Sequence, residues 1–388
     1  MLKFLYTKKA NLKLKDFSKK ELPAFATYVP DISFIEKQAK QYQQYKNIII
    51  AARGGSITSF YAFFGALKKN CSIKKFYFID TADQDYLYNV KKSCSKKDTL
   101  LIVISKSGKT IDVIENYLYF SNFDSVFVTT EDDNPLYEIA KIRNIPVLPH
   151  PEIGGRYSGL TATALLPAKL AGIDIRKLSN GAIRAYNDFS PAKKTNNALK
   201  VAQWLYENDK KGYVDIYNPI YSSGLKDFSE LIMQLIHESV GKEGRGPSII
   251  PVSAPESQHH SNQRYFGGRK NIQGLFIYQD DYLKREVIKV TSDISNIVLR
   301  GNNLSVINNL ALKKTMAAEF AGSFEDSKKR GVPALCVVIG RLNEESIGYF
   351  VGFLHYLTVY LSWLNKVNPF DQPEVETSKE ISFKKRLS

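Results

Sequence analysis

Short apolar runs alternate with amphipathic stretches along most of the chain. Five runs in the first half have the length and composition of buried strands, at residues 47–52, 75–80, 99–105, 125–130 and 145–149. The stretches between them, such as ITSFYAFFGALKK and TIDVIENYLYF, resemble helices in their spacing of apolar residues. Strands that alternate with helices in this way predict an α/β fold, in which a doubly wound parallel sheet is flanked by helices.

A second alternating series follows in the other half of the chain. Its candidate strands lie at residues 212–217, 248–253, 274–279, 286–291 and 334–340. Between the two series, residues 159–178 resemble one long helix and residues 179–197 a linker helix. A length of 388 residues suits two domains. We therefore predict two subdomains of similar plan, residues 1–185 (with an N-terminal extension) and 186–366, followed by a C-terminal tail at 367–388.

The composition is that of a globular protein, with 44% hydrophobic and 24% charged residues. The three cysteines (Cys71, Cys94 and Cys336) are scattered and odd in number, which predicts free thiols in a reducing compartment. The first twenty residues hold no apolar core long enough for a signal peptide. Together these features predict a cytoplasmic protein.

Two features could suggest a membrane or a nucleic acid as partner. Residues 346–364 contain no Asp, Glu, Lys or Arg and include Gly348-x-x-x-Gly352, and their length approaches that of a membrane span. They also carry several polar side chains, so we interpret them as a helix buried in the core or at a subunit interface. The net charge of +15 is spread along the chain without a recognition motif, which suits anionic small substrates better than specific nucleic-acid binding.

The loop SKSGKT (105–110) follows one of the most apolar runs and ends in the letters of a nucleotide-binding loop. That loop requires a glycine five positions before its second glycine, and here Val103 occupies this position. The hydroxyls of Ser105, Ser107 and Thr110, with the charges of Lys106 and Lys109, would suit a single phosphate at the start of a helix. From this stretch alone, an ordinary strand-to-helix turn remains an equal alternative.

Other candidate groups lie in glycine-rich segments. Glu238 in HESVGKEGRG could act as a general base at a helix end, and Arg156 in GGRYS could bind an anion or form a structural ion pair. His259 and His260 are adjacent in a loop, and no ligand spacing near them supports a metal site. Taken one by one, these residues leave surface or structural roles open.

The motifs taken together resemble the glucose-6-phosphate isomerase family, whose members contain two sugar isomerase (SIS) domains. The resemblance covers nearly the whole chain and is carried by GGS (54–56), SKSGKT (105–110), TTEDDNPLYEIA (129–140), GGRYSGLTATALLPAKLAGID (154–174), ESVGK (238–242), QHHSNQ (258–263) and NPFDQPEVETSK (368–379). GGRYS and NPFDQP are the most specific of these. Proteins with a single SIS domain, including sugar-sensing regulators, share only the first two.

The resemblance implies a role for each matched residue. Glu238 is expected to move a proton between C1 and C2 of the sugar, and Arg156 to steady the enediolate. His260 and Lys379 are expected to open the sugar ring, with the choice of His260 over His259 resting on the serine that follows. The expected binding residues are Gly55, Ser56, Ser105, Lys106, Ser107, Thr110 and Gln372, where the loop residues hold the phosphate and Gln372 contacts the sugar. No metal or cofactor is implied.

The implied activity is the reversible isomerisation of glucose 6-phosphate and fructose 6-phosphate, in glycolysis and gluconeogenesis. The implied assembly is a homodimer in which His260 serves the partner's site. Two alternatives remain: a bifunctional phosphoglucose/phosphomannose isomerase, and a phosphosugar-binding protein without turnover. The chain departs from many relatives at Arg53, where an apolar residue is usual, at Lys109, where threonine is usual, and at His355, where glutamate is often found.

Overall fold

The structure is a computed structural model, and it describes residues 2–8, 13–67, 74–193 and 195–387. The elements of the first half, in chain order, are β1 (Lys3–Tyr6), α1 (Ala24–Thr27), α2 (Ile32–Lys40), β2 (Asn47–Ala52), α3 (Gly55–Leu67), β3 (Lys75–Ile79), α4 (Gln84–Ser93), β4 (Thr99–Ile104), α5 (Ile111–Phe120), β5 (Asp124–Thr129), α6 (Pro135–Arg143), β6 (Val147–Pro149) and α7 (Ala162–Leu170).

The elements of the second half are α8 (Ile175–Asp188), α9 (Asn197–Asp209), β7 (Asp215–Tyr221), α10 (Phe228–Val240), β8 (Ser248–Ser253), α11 (Ser261–Gly267), β9 (Ile272–Gln279), β10 (Val298–Leu299), β11 (Asn302–Asn303), α12 (Leu312–Lys329), β12 (Ala334–Ile339), α13 (Glu344–Asn365) and α14 (Glu376–Arg386). The predicted α/β class is confirmed.

The first sheet contains the five strands predicted in the first half, in the order β3-β2-β4-β5-β6, and all of its pairings are parallel. Every residue of the central strand β4 is buried. A parallel strand that is covered by helices on both faces must be apolar throughout, which is why this strand was visible as an uninterrupted apolar run. The ends of β2 and β4 lie side by side, so the loops that follow them meet at one edge of the sheet.

The second sheet has the order β1-β12-β9-β7-β8 and is parallel except for β1, which pairs antiparallel with β12. Residues 3–6 thus join the second sheet, although we place residues 1–185 in the first predicted subdomain. The strand predicted at residues 286–291 is wrong. This segment lies in an excursion between β9 and α12 and remains largely exposed. It pairs with residues 309–312 through an isolated bridge between Val287 and Ala311 and a few backbone hydrogen bonds, and it does not join the sheet. The edge of the sheet beside β12 is filled by β1 instead.

The single long helix predicted at residues 159–178 is also wrong. A 3₁₀ turn at Gly155–Leu160 precedes α7, and α8 starts separately at Ile175. The break follows from two residues: Gly172 adopts φ +85°, and the Asp174 side chain accepts a hydrogen bond from the Lys177 N–H to cap α8. The linker helix predicted at residues 179–197 is therefore the end of α8 and a connection, and the proposed subdomain boundary at 185/186 falls within α8.

Helix α13 contains the apolar segment that could suggest a membrane span. Within the described chain it is the one helix long and apolar enough to cross a bilayer, yet 94% of its most apolar window is buried inside the protein. Side chains at Gly348 or Gly352 would collide with α8, since a Cβ at 348 would overlap the Leu178 carbonyl oxygen. The Gly-x-x-x-Gly pair thus permits close packing of two core helices, as the prediction of a buried helix requires.

The cysteines within the described residues form no disulfide bond. Cys336 is buried within β12, Cys94 is half-buried at the end of α4, and both are free thiols. Cys71 lies outside the described residues.

Candidate active site

A cleft opens at the edge of the first sheet where β2 and β4 end and α3 and α5 begin. Its cavity volume is about 270 Å³. Four segments that lie far apart in the sequence line it. They contribute Arg53 and Ser56, Ile104 to Ser107 with Thr110 and Val113, Gly154 and Gly155, and Phe370 with Gln372. The carboxyl ends of parallel strands are the usual ligand-binding edge of such a sheet.

The SKSGKT loop forms one wall of the cleft. The hydroxyls of Ser105 and Thr110 lie 2.9 Å apart across the loop. Because Thr110 is engaged with Ser105, its side chain does not cap α5, and the first N–H groups of that helix are left for another acceptor. Lys106 lines the cleft, and its Nζ lies 2.7 Å from Glu152 Oε2. The loop therefore presents hydroxyls, backbone N–H groups and a cation to the same space.

The TTEDDNP segment (129–135) packs against the SKSGKT loop and fixes its backbone. Gly108 adopts φ +60°, and a Cβ there would overlap Asn134 Oδ1. Thr130 donates a hydrogen bond from Oγ1 to the Lys106 carbonyl oxygen at 2.9 Å, and Asn134 donates one to the Thr130 carbonyl oxygen at 3.0 Å. Lys109 is exposed and does not line the cleft, so the residue that departs from many relatives adds charge at the surface instead.

The two glycine-rich turns contact each other backbone to backbone. A Cβ on Gly55 would overlap the backbone nitrogen of Arg156, so any side chain there would separate the turns. Gly55 is itself outside the cleft lining, but this contact places Ser56 and Gly155 on the cleft wall. The predicted binding residue Gly55 thus acts through close packing.

Arg156 is buried between α10 and the C-terminal tail, with 3% of its surface exposed. All five N–H groups of its guanidinium are used. They donate to Ser239 Oγ (2.7 Å), Glu238 Oε2 (3.0 Å), Gln372 Oε1 (2.8 Å) and the carbonyl oxygens of Pro369 (2.7 Å) and Asp371 (2.8 Å). The arginine therefore joins the candidate base, the candidate sugar contact and the tail.

Glu238 lies in the last turn of α10, and its side chain is 30% exposed. Both of its carboxylate oxygens are held in place, because Oε2 accepts from Arg156 and Oε1 accepts from Gln234 Nε2 at 2.7 Å. Gln234 is fixed in turn by Thr58, which donates to its Oε1 at 2.9 Å. A carboxylate that is fixed on both sides but still accessible is well suited to move a proton.

Lys242 anchors the tail loop beside Arg156. Its side chain is buried, and Nζ donates to the carbonyl oxygens of Asn368 and Asp371 and to the Asp371 carboxylate. Burial would raise the pKa of Asp371, but the hydrogen bond and the charge of Lys242 outweigh it and hold that pKa below its usual range. These contacts hold the tail loop in place, so that Phe370 and Gln372 line the cleft.

His260 and Lys379 lie apart from this cluster. His260 is exposed in the turn before α11, and its Nδ1 lies 2.7 Å from Ser261 Oγ. Lys379 is exposed on α14 and pairs with Glu376 at 2.7 Å. Within the described chain, neither side chain forms a hydrogen bond or an ion pair with a residue that lines the cleft. Their roles in ring opening stay predictions.

Several contributors to the site were absent from the predicted set, among them Arg53 and Phe370 in the cleft wall and Gln234 and Lys242 behind it. Gln234 precedes Glu238 by one helical turn, and this spacing could have indicated it. Lys242 could not be chosen from the sequence, because its partners lie more than a hundred residues away.

His355 occupies a fully buried position behind the site. Its Nδ1 lies 2.9 Å from the Tyr186 hydroxyl, and burial lowers its pKa to about 3, so the ring is neutral. Its ring also packs against Tyr157, whose hydroxyl lies 3.0 Å from Ser239 Oγ. His355 therefore supports the residues that hold Arg156.

Comparisons with known proteins identify relatives of this chain. Glucose-6-phosphate isomerase of Fusobacterium nucleatum is 31% identical over 312 residues, which cover 77% of this chain and 68% of the relative. The enzyme of that name from Listeria monocytogenes is 30% identical over 361 residues, covering 86% and 76%. A crystal structure of a glucose-6-phosphate isomerase from Chlamydia trachomatis shares the fold, with a TM-score of 0.76, 21% identity and coverage of 91% and 72%.

No protein-family model matches the chain. The two relatives nevertheless match 77% and 86% of the chain. The chain belongs to the glucose-6-phosphate isomerase family.

Proposed function

We propose that the chain catalyses the reversible isomerisation of glucose 6-phosphate and fructose 6-phosphate, as part of glycolysis and gluconeogenesis in the cytoplasm. The observation that carries the proposal is Glu238, which Arg156 and Gln234 hold in place and which Arg156 links to Gln372 in the cleft wall, in a cleft that the phosphate-type loop also lines. A proton-transfer group and an anion-binding loop at one cleft are the two parts that isomerisation of a phosphosugar requires.

The phosphate is assigned to the SKSGKT loop. The hydroxyls of Ser105, Ser107 and Thr110 and the free N–H groups of α5 surround a space that a phosphate can fill. Lys106 can turn to the phosphate at low cost, because Glu152, its present partner, is 80% exposed and the ion pair is weak in water. Binding of this remote dianion positions the sugar carbons near Glu238 and lowers the cost of reaching the transition state.

The proton transfer is assigned to Glu238. A base beside C1 and C2 can remove a proton from one carbon and return it to the other through an enediolate. The negative charge of the enediolate develops close to Arg156, whose buried cation stabilises it. Because every N–H of Arg156 already has a partner, a direct hydrogen bond to the intermediate would require Gln372 to yield its place. Gln372 is therefore expected to move when the sugar binds.

The assembly is a homodimer in this proposal, with His260 serving the site of the partner. The exposed positions of His260 and of α14 support it, as does the excursion at residues 281–312. This excursion extends from the second sheet and exposes large apolar side chains, namely Leu283, Val287, Ile294, Ile297, Val298, Leu299, Val306 and Leu312. Apolar residues clustered on a protruding segment are typical of a surface that another protein chain covers.

A hybrid dimer tests whether the sites are shared. We expect the variants His260→Asn and Glu238→Gln each to lose activity by about 100-fold or more as homodimers. In a hybrid with one copy of each, one of the two sites would combine an intact Glu238 with an intact His260 from the other chain. Co-expression with two tags and purification of the hybrid should then restore about half of the wild-type rate. A hybrid as inactive as its parents, or a monomer by light scattering, would contradict the proposal.

Substrate choice is tested by a coupled assay with glucose 6-phosphate, fructose 6-phosphate and mannose 6-phosphate. The names of the relatives favour turnover of the glucose and fructose compounds alone. Comparable turnover of mannose 6-phosphate would establish the bifunctional alternative. Tight binding of all three without turnover would establish a phosphosugar-binding protein.

A further inference from the structure

Arg53 is a cation in the cleft wall that the proposed mechanism does not use. It directly follows β2 and precedes the turn at Gly54 and Gly55, and its side chain lines the cleft with 29% of its surface exposed. Apart from Ile104 and Val113, the other residues of the cleft wall belong to the motifs that carry the resemblance. Arg53 is thus a feature of this chain, at the place where a substrate phosphate would lie.

Asp112 fixes the position of this guanidinium. Its Oδ2 lies 2.5 Å from Arg53 Nε, and the carboxylate sits in the first turn of α5, where the helix dipole favours negative charge. Nε is fully buried, and its contact with Asp112 is an ion pair without the alignment of a hydrogen bond. Within the described residues, the two terminal nitrogens of Arg53 form no hydrogen bond. An arginine whose inner nitrogen faces a carboxylate, and whose terminal N–H groups form no hydrogen bond within the described residues, can serve as a two-pronged donor to phosphate.

The two cations of the cleft are held differently. The Lys106–Glu152 pair involves a carboxylate that is 80% exposed, whereas both partners of the Arg53–Asp112 pair are mostly buried, with 29% and 25% exposure. Lys106 can therefore leave its partner when an anion binds. Arg53 stays oriented by Asp112 while its outer nitrogens take up the new contact.

We propose that Arg53 is a ligand of the substrate phosphate, oriented by Asp112, and that it adds to the serine and threonine hydroxyls of the SKSGKT loop. This inference rests on the proposed function for the identity of the substrate, but the anion site itself does not depend on turnover. Arg53 then determines specificity, because it favours a dianionic group over a neutral one at this end of the sugar.

Calorimetric titration with inorganic phosphate and steady-state kinetics with fructose 6-phosphate test the inference on the full-length protein. Arg53→Met should weaken phosphate binding and raise KM about 10- to 100-fold, the range expected for charge-assisted hydrogen bonds, with kcat changed less than about threefold. Asp112→Asn should give a smaller increase in KM, again without a matching loss of kcat. Arg176→Met is the matched control, since Arg176 also pairs with a carboxylate, Glu36, but lies outside the cleft; it should change neither value.

The alternative is that the Arg53–Asp112 pair only ties the β2–α3 turn to α5. A structural pair would lower the stability of the Arg53→Met variant and leave phosphate affinity and KM within about twofold of wild type, which would overturn the inference. If Arg53→Met does not fold, Arg53→Lys keeps the positive charge beside Asp112 but lacks the fork of donors. Its phosphate affinity should fall at least about threefold, and an unchanged affinity would equally overturn the inference. Absence of turnover in the wild type would refute the proposed function alone, because the phosphate titration reads the anion site directly.

Discussion

Replacing Glu238 by glutamine is expected to lower kcat for glucose 6-phosphate about 10³-fold, within the range that general-base catalysis contributes. Glutamine has the same shape, and its amide oxygen can still accept from Arg156, so the hydrogen-bonded cluster should survive. What is lost is the ability to take a proton from carbon. Binding of inorganic phosphate at the SKSGKT loop should remain within about threefold of wild type, which calorimetric titration measures.

The control for this substitution is Glu243→Gln. Glu243 lies a few residues further along the chain, is exposed, and pairs loosely with Arg245 at 3.7 Å. The Glu243→Gln variant loses the same negative charge as Glu238→Gln, and its kcat should stay near that of the wild type. A Glu238→Gln variant that retains a tenth or more of the wild-type kcat would show that another group carries the proton.

Replacing Arg156 by lysine is expected to damage both activity and stability, despite the conserved charge. Lysine offers three donors on one nitrogen, so it cannot serve Ser239, Glu238, Gln372 and two tail carbonyl oxygens together. At least two buried acceptors lose their partner, which should lower the free energy of unfolding by about 2–4 kcal/mol. We expect kcat to fall about 100-fold or more, because Glu238 and Gln372 are no longer fixed.

Urea unfolding measures the loss of stability, and steady-state kinetics measure the loss of activity. Limited proteolysis should cleave the tail, residues 368–388, faster in the Arg156→Lys variant than in the wild type. Arg386→Lys is the matched control, since Arg386 also binds through two nitrogens, to Glu115 at 2.5 and 3.0 Å, but at the surface. Its unfolding midpoint and activity should stay close to those of wild type. Near-normal activity in Arg156→Lys would mean that the arginine does not organise the site.

The strands that are easiest to predict from the sequence are those that burial on both faces forces to be apolar. Parallel strands covered on both faces are largely apolar, so β2 and β4 stand out as nearly continuous apolar runs. The segment at residues 286–291 combines three apolar residues with Glu286, Lys289 and Thr291, and nothing in its own sequence shows that β1 fills the place beside β12. Strand β1 is only four residues long and depends on pairing with β12, which lies over three hundred residues away.

The candidate site is predictable in part for the same reason. The phosphate-type loop and the glycine turns follow strands of one sheet, so their convergence follows from the topology. The burial of Arg156 and the role of Lys242 depend on the tail folding back onto α10, which is a contact between distant segments. His260 and Lys379 do not contact the cleft lining within the described chain, and the proposed homodimer assigns His260 to the site of the partner.

Exchange with heavy water tests the central claim, isomerisation by proton transfer at Glu238, most directly. The wild-type protein is incubated with glucose 6-phosphate in D₂O without added metal or nucleotide, and the reaction is followed by proton NMR. Because Glu238 is 30% exposed, the proton that it removes from one carbon should exchange with solvent before Glu238 returns a proton to the other carbon. We expect fructose 6-phosphate to form with deuterium at C1, and deuterium to enter C2 of the remaining glucose 6-phosphate. No conversion, or conversion in which all of the C2 hydrogen reappears at C1, would contradict the claim.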